Sequence, residues 1–239
     1  MANSAENDNV RTGGIRLKIA QVGEPVLRHG ARALTPEEIG SDEIQNLIVL
    51  MCKTMRDAPG VGLAAPQIGL SIQLAVIEDR PGYQGDLSEE ELAERERNEV
   101  PFHVVINPVI TPTSGEMVDF FEGCLSLPGF SAIVPRARAV RVECLNERAE
   151  RNVIEASGWY ARILQHEIDH LHGRLFIDRM RSRTFTSADN LGDYWEDQTI
   201  EEIITELGEG DLGPGQDAAA PKARTRSKRG MPPGGAKTP

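Results

Sequence analysis

Between residues 42 and 57, Ile44, Leu47, Ile48, Met51 and Met55 recur at helical spacing. That period predicts an amphipathic helix with one face on a core, in which the two methionines pack rather than contact a cofactor. Pro59-Gly60 ends it. Strand signals follow at 72–77, 102–107, 116–122, 131–134, 139–145 and 152–156. The segment Arg138-Ala139-Val140-Arg141-Val142-Glu143-Cys144 alternates in the manner of a half-buried antiparallel strand. A second helix is predicted from Ser157 and Gly158, which can cap its start, to Gly173, which can end it. A short third helix is predicted at 199–207 from Ile200, Ile203, Ile204 and Leu207. Hairpin-like runs of strands with two main helices predict an α+β fold rather than alternating βαβ units.

The second helix carries the chemistry. His166-Glu167-Ile168-Asp169-His170 is an HExxH run. Residues four apart lie about 40° apart around a helix, one turn up, so His166 and His170 can grip one cation. Glu167 lies about 100° round, where it can reach a water on that cation but is badly placed as a ligand. Trp159 and Ile163 share the face of the two histidines, so the stripe points them into the protein. Asp169 is expected either to hold a neighbour of the metal ligands or to pair with Arg162 or Arg174.

A catalytic site of this kind takes three protein ligands and leaves one position for water. His172 falls on the far side of the wheel, and the further histidine of the extended zincin motif is missing. Glu201 and Glu202 are conceivable third ligands, but their helix carries no other sign of facing a site. Cys124 is the stronger candidate. It ends an apolar strand in Phe120-Phe121-Glu122-Gly123-Cys124-Leu125-Ser126-Leu127-Pro128-Gly129, and a thiolate suits a borderline-soft ion. The alternative, a buried free thiol, stays open at this point. So do a zinc metallopeptidase with a downstream carboxylate and a non-catalytic metal-binding module.

Composition narrows the setting. The chain has 239 residues, 39% hydrophobic and 26% charged, which accommodates one core plus tails. No apolar run reaches the roughly 20 residues that span a bilayer. The polar start lacks the features of a secretion signal or transit peptide, so a cytoplasmic address and no membrane partner are expected. Three cysteines at wide spacing do not make a disulfide framework. The net charge is −11, although six basic residues and no acid follow from Lys222 onward. The acidic body argues against specific nucleic-acid binding, and the basic tail reads as solvated, with ribosomal RNA as a conceivable contact. Residues 1–14 and the Gly/Pro/Ala-rich 211–239 are expected to be disordered. Residues 83–99, with seven acids against two arginines, are expected to be an exposed, partly helical insertion. The small-residue run 60–69 lacks the signatures of a nucleotide loop or dinucleotide fingerprint, but lets backbone lie close to a ligand.

Three segments, in order, resemble the signature motifs of peptide deformylases: Gly60-Val61-Gly62-Leu63-Ala64-Ala65-Pro66-Gln67, Glu122-Gly123-Cys124-Leu125-Ser126 and Gln165-His166-Glu167-Ile168-Asp169-His170. The resemblance spans roughly residues 15 to 195. The 83–99 insertion and the stretches Ser157-Gly158-Trp159 and Arg183-Thr184-Phe185 resemble the subclass that includes mitochondrial-type enzymes. The resemblance implies one catalytic domain over 15–210, with antiparallel sheets packed around a central metal-binding HExxH helix. It implies removal of the formyl group from the N-terminal formyl-methionine of nascent polypeptides, with release of formate. By the same resemblance Cys124, His166 and His170 bind the metal and Glu167 is the acid/base. Ferrous iron is the usual ion, and Zn2+, Ni2+ or Co2+ can substitute. The Gln67 side chain and the Leu125 backbone N–H would stabilise the oxyanion. An extended substrate would pair with the edge at Gly60, Val61, Gly62 and Leu63, its methionine lying near Val61, Leu125, Trp159 and Ile163. Glu122 and Gly123, beside the thiol, join these as expected substrate contacts.

Overall fold

The structure, a computed structural model, describes residues 16–84 and 87–208; the tails expected at 1–14 and 211–239 lie outside them. Five strands form an antiparallel sheet in the order β1 (Gly62–Ala64), β2 (Leu74–Asp79), β3 (Val100–Pro112), β6 (Ala139–Leu145), β7 (Arg151–Ser157). A second sheet holds β4 (Met117–Cys124), β5 (Leu127–Ala137) and the short β8 (Thr186–Ser187). The chain changes sheets abruptly, because only Arg138 separates β5 from β6. Its N–H donates to the Glu116 carbonyl at 3.0 Å and so closes the corner. The α+β architecture with antiparallel sheets is the one the sequence predicts.

Helix α1 (Asp42–Asp57) starts where Ser41 Oγ accepts from the Ile44 N–H, with Asp42 and Glu43 favourably placed in its first turn. Helix α2 (Glu89–Glu94) is a short turn in the acidic insertion. Helix α3 (Gly158–Leu171) carries the HExxH run, and α4 (Ile200–Leu207) is closed by a Thr199–Glu202 capping box. The five-stranded sheet lies between α1 and α3, and strand alternation divides its side chains between them. Leu74, Val76, Val104 and Ile106 pack with Ile44, Ile48, Met51 and Met55 of α1. Ile77, Val105, Val140, Val142 and Ile154 pack with Ala161, Ile163, Leu164 and Ile168 of α3. Each buried aliphatic side chain contributes about 1.5–3 kcal/mol, so α3 is held chiefly by this face.

Two elements depart from expectation. Strand β2 runs on through Glu78 and Asp79, both buried, because arginines neutralise their carboxylates. Arg56 grips Glu78 with two bonds of 2.8 Å, and Arg97 grips Asp79 at 2.8 and 3.0 Å. Ser157 occupies the N-cap position of α3, but its side chain makes no capping bond. The first amides donate elsewhere, Gly158 to the Arg138 carbonyl and Trp159 to the Arg95 carbonyl, each at 2.9 Å. The insertion is thus tied down at its C-terminal end rather than simply exposed.

Gly173 does end α3, with φ +71. A Cβ there would lie 2.7 Å from the Arg28 carbonyl carbon, and backbone cannot swing aside. Gly173→Ala is expected to destabilise the fold by more than about 1–2 kcal/mol, the cost of the left-handed conformation alone. Urea unfolding with an unchanged midpoint would show that this turn does not lock the helix end.

Candidate metal centre and its cleft

Cys124 is the last residue of β4, and Leu125-Ser126 turns the chain into β5. The register then breaks. Gly123 faces Ser131 while Cys124 faces Leu127, so Pro128, Gly129 and Phe130 bulge out of β5. Gly129, at φ +79, supplies the left-handed residue this bulge needs. His166 and His170 project from successive turns of α3 towards the hairpin end. One ligand atom from each of Cys124, His166 and His170 lies within 4.8 Å of the other two, and Cys124 Sγ is 3.3 Å from His170 Nε2. A thiolate and an imidazole on one tetrahedral ion sit about 3.5 Å apart, from bonds of about 2.3 and 2.0–2.1 Å. The trio is therefore spaced as ligands of one cation are spaced.

A buried ionic network holds the trio. His166 Nδ1 lies 3.0 Å from Glu122 Oε2, which leaves Nε2 for the centre. Arg136 of β5 donates to both oxygens of Glu122 at 2.9 Å, and Arg162 adds a bond of 2.7 Å. Arg136 also bonds Asp169, which Arg179 grips at 2.6 and 2.7 Å. Of the two expectations for Asp169, its side chain therefore follows the first: it holds Arg136, which grips the Glu122 that meets His166, and it does not pair with the side chain of Arg162 or Arg174. Burial opposes ionisation of Glu122, but His166 and Arg136 outweigh it and hold its carboxyl well below the usual range. Burial likewise opposes a charged His166, yet Cys124 and Glu122 raise its pKa. For His170, burial prevails and lowers it.

Glu167 is treated differently. It is buried, its Oε2 has no hydrogen-bond partner among the described residues, and burial pushes its carboxyl up to about 7. It fits because Gly62 has no side chain; a Cβ there would lie 2.3 Å from Glu167 Oε1. Gln67 faces two ways. Its Oε1 accepts from the Ala64 N–H at 2.8 Å, while its Nε2 donates to Ser126 Oγ at 3.3 Å and lies 3.5 Å from Cys124 Sγ. The Ser126 N–H also points at the sulfur, at 3.4 Å. Capping the local turn and aiming an amide at the centre are thus compatible roles for one side chain.

These groups open on a cleft of about 660 Å³ lined by Gly60, Val61, Gly62, Glu122, Gly123, Leu125, Trp159 and Ile163. Leu63 does not line it: its side chain is fully buried in the core on the α1 side. Glu122 lines the cleft, but its carboxylate is already engaged by Arg136, Arg162 and His166. His172 is exposed, as expected, and Glu202 belongs to the α4 cap. Arg136 and Arg97 were not anticipated, and Arg162 was named only as a partner of Asp169. Its contact with Glu122 could have been found, because it lies one turn before His166 on the inward face. Arg136 carries a weaker signal, a single charge within an otherwise apolar strand. Arg97 reaches the cleft wall from the acidic insertion, its guanidinium 5.2 Å from the centre of the Trp159 ring.

The model of the family described as Polypeptide deformylase matches residues 16–186. Peptide deformylase 1A, chloroplastic/mitochondrial, of Arabidopsis thaliana is 48% identical over 174 residues, covering 73% of this chain and 65% of that one. This chain therefore spans just under two thirds of the plant protein's length. Peptide deformylase 1 of Bifidobacterium longum is 44% identical over 202 residues, covering 83% of this chain and 90% of the relative. The crystal structure of class I type b peptide deformylase from Acinetobacter baumannii with Met-Ala-Ser bound matches at a TM-score of 0.62 and 34% identity, covering 70% of this chain and 99% of that one. With the motifs of the sequence gathered around one cleft and most of the chain matched, this protein belongs to the polypeptide deformylase family.

Proposed function

We propose that this chain hydrolyses the formyl group from the formyl-methionine of newly made polypeptides and releases formate. In this reading Cys124, His166 and His170 hold ferrous iron; the soft thiolate and two imidazoles would also accept Zn2+, Ni2+ or Co2+. The observation that carries it is the convergence of one sulfur and two ring nitrogens within 4.8 Å, beside the buried, unpartnered carboxylate oxygen of Glu167. A bound divalent ion supplies Lewis acidity, lowering the pKa of a water towards neutrality.

The chain's own groups do the rest. Glu167 takes the attacking water's proton on Oε2 and delivers it to the departing amine. The carboxylate is raised by its dry surroundings into the range where it can do both. Gln67 Nε2 and the Leu125 N–H donate to the oxygen on which charge develops. The new N-terminus lies extended along β1, the outer strand of its sheet, and pairs through main-chain bonds that ignore sequence. Val61, Trp159 and Ile163 receive the methionine side chain. The Met-Ala-Ser peptide on the Acinetobacter relative has the chemistry of the product this reading expects.

Formate release from formyl-Met-Ala-Ser, followed anaerobically because a ferrous thiolate centre is oxidised easily, tests the proposal. Glu167→Ala is expected to lower kcat by about a hundredfold or more while the metal content stays constant. Full turnover in that variant would remove Glu167 from the proton path. Gln67→Ala is expected to cost about 2.7–4 kcal/mol of transition-state stabilisation, about a hundredfold or more in rate. A near-normal rate would limit Gln67 to its turn-capping bond. Cys124→Ala should lose its metal by elemental analysis. If instead it keeps metal and cleaves internal peptide bonds, the centre is that of a metallopeptidase.

A further inference from the structure

We propose that Phe130 and Phe185 form an apolar platform for the nascent-chain side chains that follow the methionine, so that turnover depends on residues downstream of the formylated one. The inference rests on the deformylase reading and adds a specificity element to it. Both rings are 41% exposed. They stack nearly parallel, with centroids 5.2 Å apart and planes 6° from each other. Two large aromatic side chains held together in water at a cleft rim are unlike the scattered single apolar residues of an ordinary surface.

Their position connects them to the site. Phe130 lines the cleft from the β5 bulge. It is paired with Ser187 of β8, and Phe185 lies immediately before that strand, so the ladder fixes both rings. Ser131, the next residue, faces Gly123, which precedes Cys124. Two steps along the chain and one across strands thus separate the Cα atoms of Cys124 and Phe130, about 13 Å at most. An extended peptide covers about 3.3–3.6 Å per residue. A chain with its formyl group at the centre therefore brings its third to fifth residues within reach of the pair. Main-chain pairing cannot distinguish those residues, whereas an aromatic surface favours an apolar side chain over glycine.

The test compares formyl-Met-Ala-Ser-Phe-Leu with formyl-Met-Ala-Ser-Gly-Gly on the metal-loaded full chain, with formyl-Met-Ala as control. The expected kcat/KM ratio of the apolar to the glycine peptide is about threefold to tenfold. In the Phe130→Ser/Phe185→Ser double variant that ratio should fall to about one. Equal rates for the two long peptides on the unaltered protein, or a ratio that survives the double substitution, would overturn the platform. In that case the rings serve only to pin β8 against β5. Failure to deformylate formyl-Met-Ala would instead sink the functional reading. Calorimetric affinities of the unformylated Met-Ala-Ser-Phe-Leu and Met-Ala-Ser-Gly-Gly would still decide the platform, with the same ratio expected.

Discussion

One guanidinium joins the two halves of the centre. Arg136 of β5 bonds Glu122 of β4 and Asp169 of α3. Glu122 in turn bonds Arg162 and meets His166, both on α3. The hairpin that carries the sulfur is thereby tied to the helix that carries the imidazoles. Hydrophobic packing alone would hold α3 against the sheets but is non-directional and tolerates small shifts. Buried ion pairs with several directional bonds do not. Their net contribution to stability is small, because desolvation offsets the attraction, while removing one partner costs about 3–5 kcal/mol. In this protein the network's role is placement: it fixes which nitrogen of His166 faces the thiol.

The same surroundings give two glutamates opposite characters. Glu122 and Glu167 are both buried beside His166. Glu122 is surrounded by donors and stays ionised far below the ordinary range. Glu167 has an unpartnered oxygen and is pushed up to about 7. Separating a pair of carboxyl groups in this way divides a fixed, orienting anion from a group able to exchange a proton near neutrality. The absence of a side chain at Gly62 belongs to the same division, since it lets backbone approach Glu167 without supplying a donor side chain.

The sequence made the helices and most strands legible because their periods are local. Helix α1 has the predicted ends, strand β6 has the predicted bounds, and the HExxH segment lies in a helix that ends before Gly173. Cys124 was legible as a strand-end thiol, and the motif resemblance strengthened that choice. What stayed hidden is non-local. Strand β1 is three residues in a run of small residues, and β8 is two, too short for any period. The extension of β2 into Glu78 and Asp79 depends on Arg56 and Arg97, 22 and 18 residues away in sequence. The β5 bulge is a property of register between strands and leaves only Gly129 as a trace. Which face the Leu63 side chain takes was not legible either, because alternation within a three-residue edge strand cannot say which side meets α1.

The acidic insertion shows how such a feature can be structural and functional together. Charge composition marked it as solvated, and its α2 residues do remain largely outside the core. Its C-terminal end, however, replaces the missing Ser157 cap: the Arg95 carbonyl takes the Trp159 N–H, and Arg138 pairs with Glu96. That close approach explains the need for glycine at 158, where a Cβ would sit 2.4 Å from that of Glu96. The next residue, Arg97, neutralises buried Asp79 and lies over the Trp159 ring in the cleft wall. The insertion therefore sets the start of α3 and the wall around Trp159 in one stroke. Any change in its length would shift both the first turn of the helix that bears the histidines and the surface a bound side chain meets.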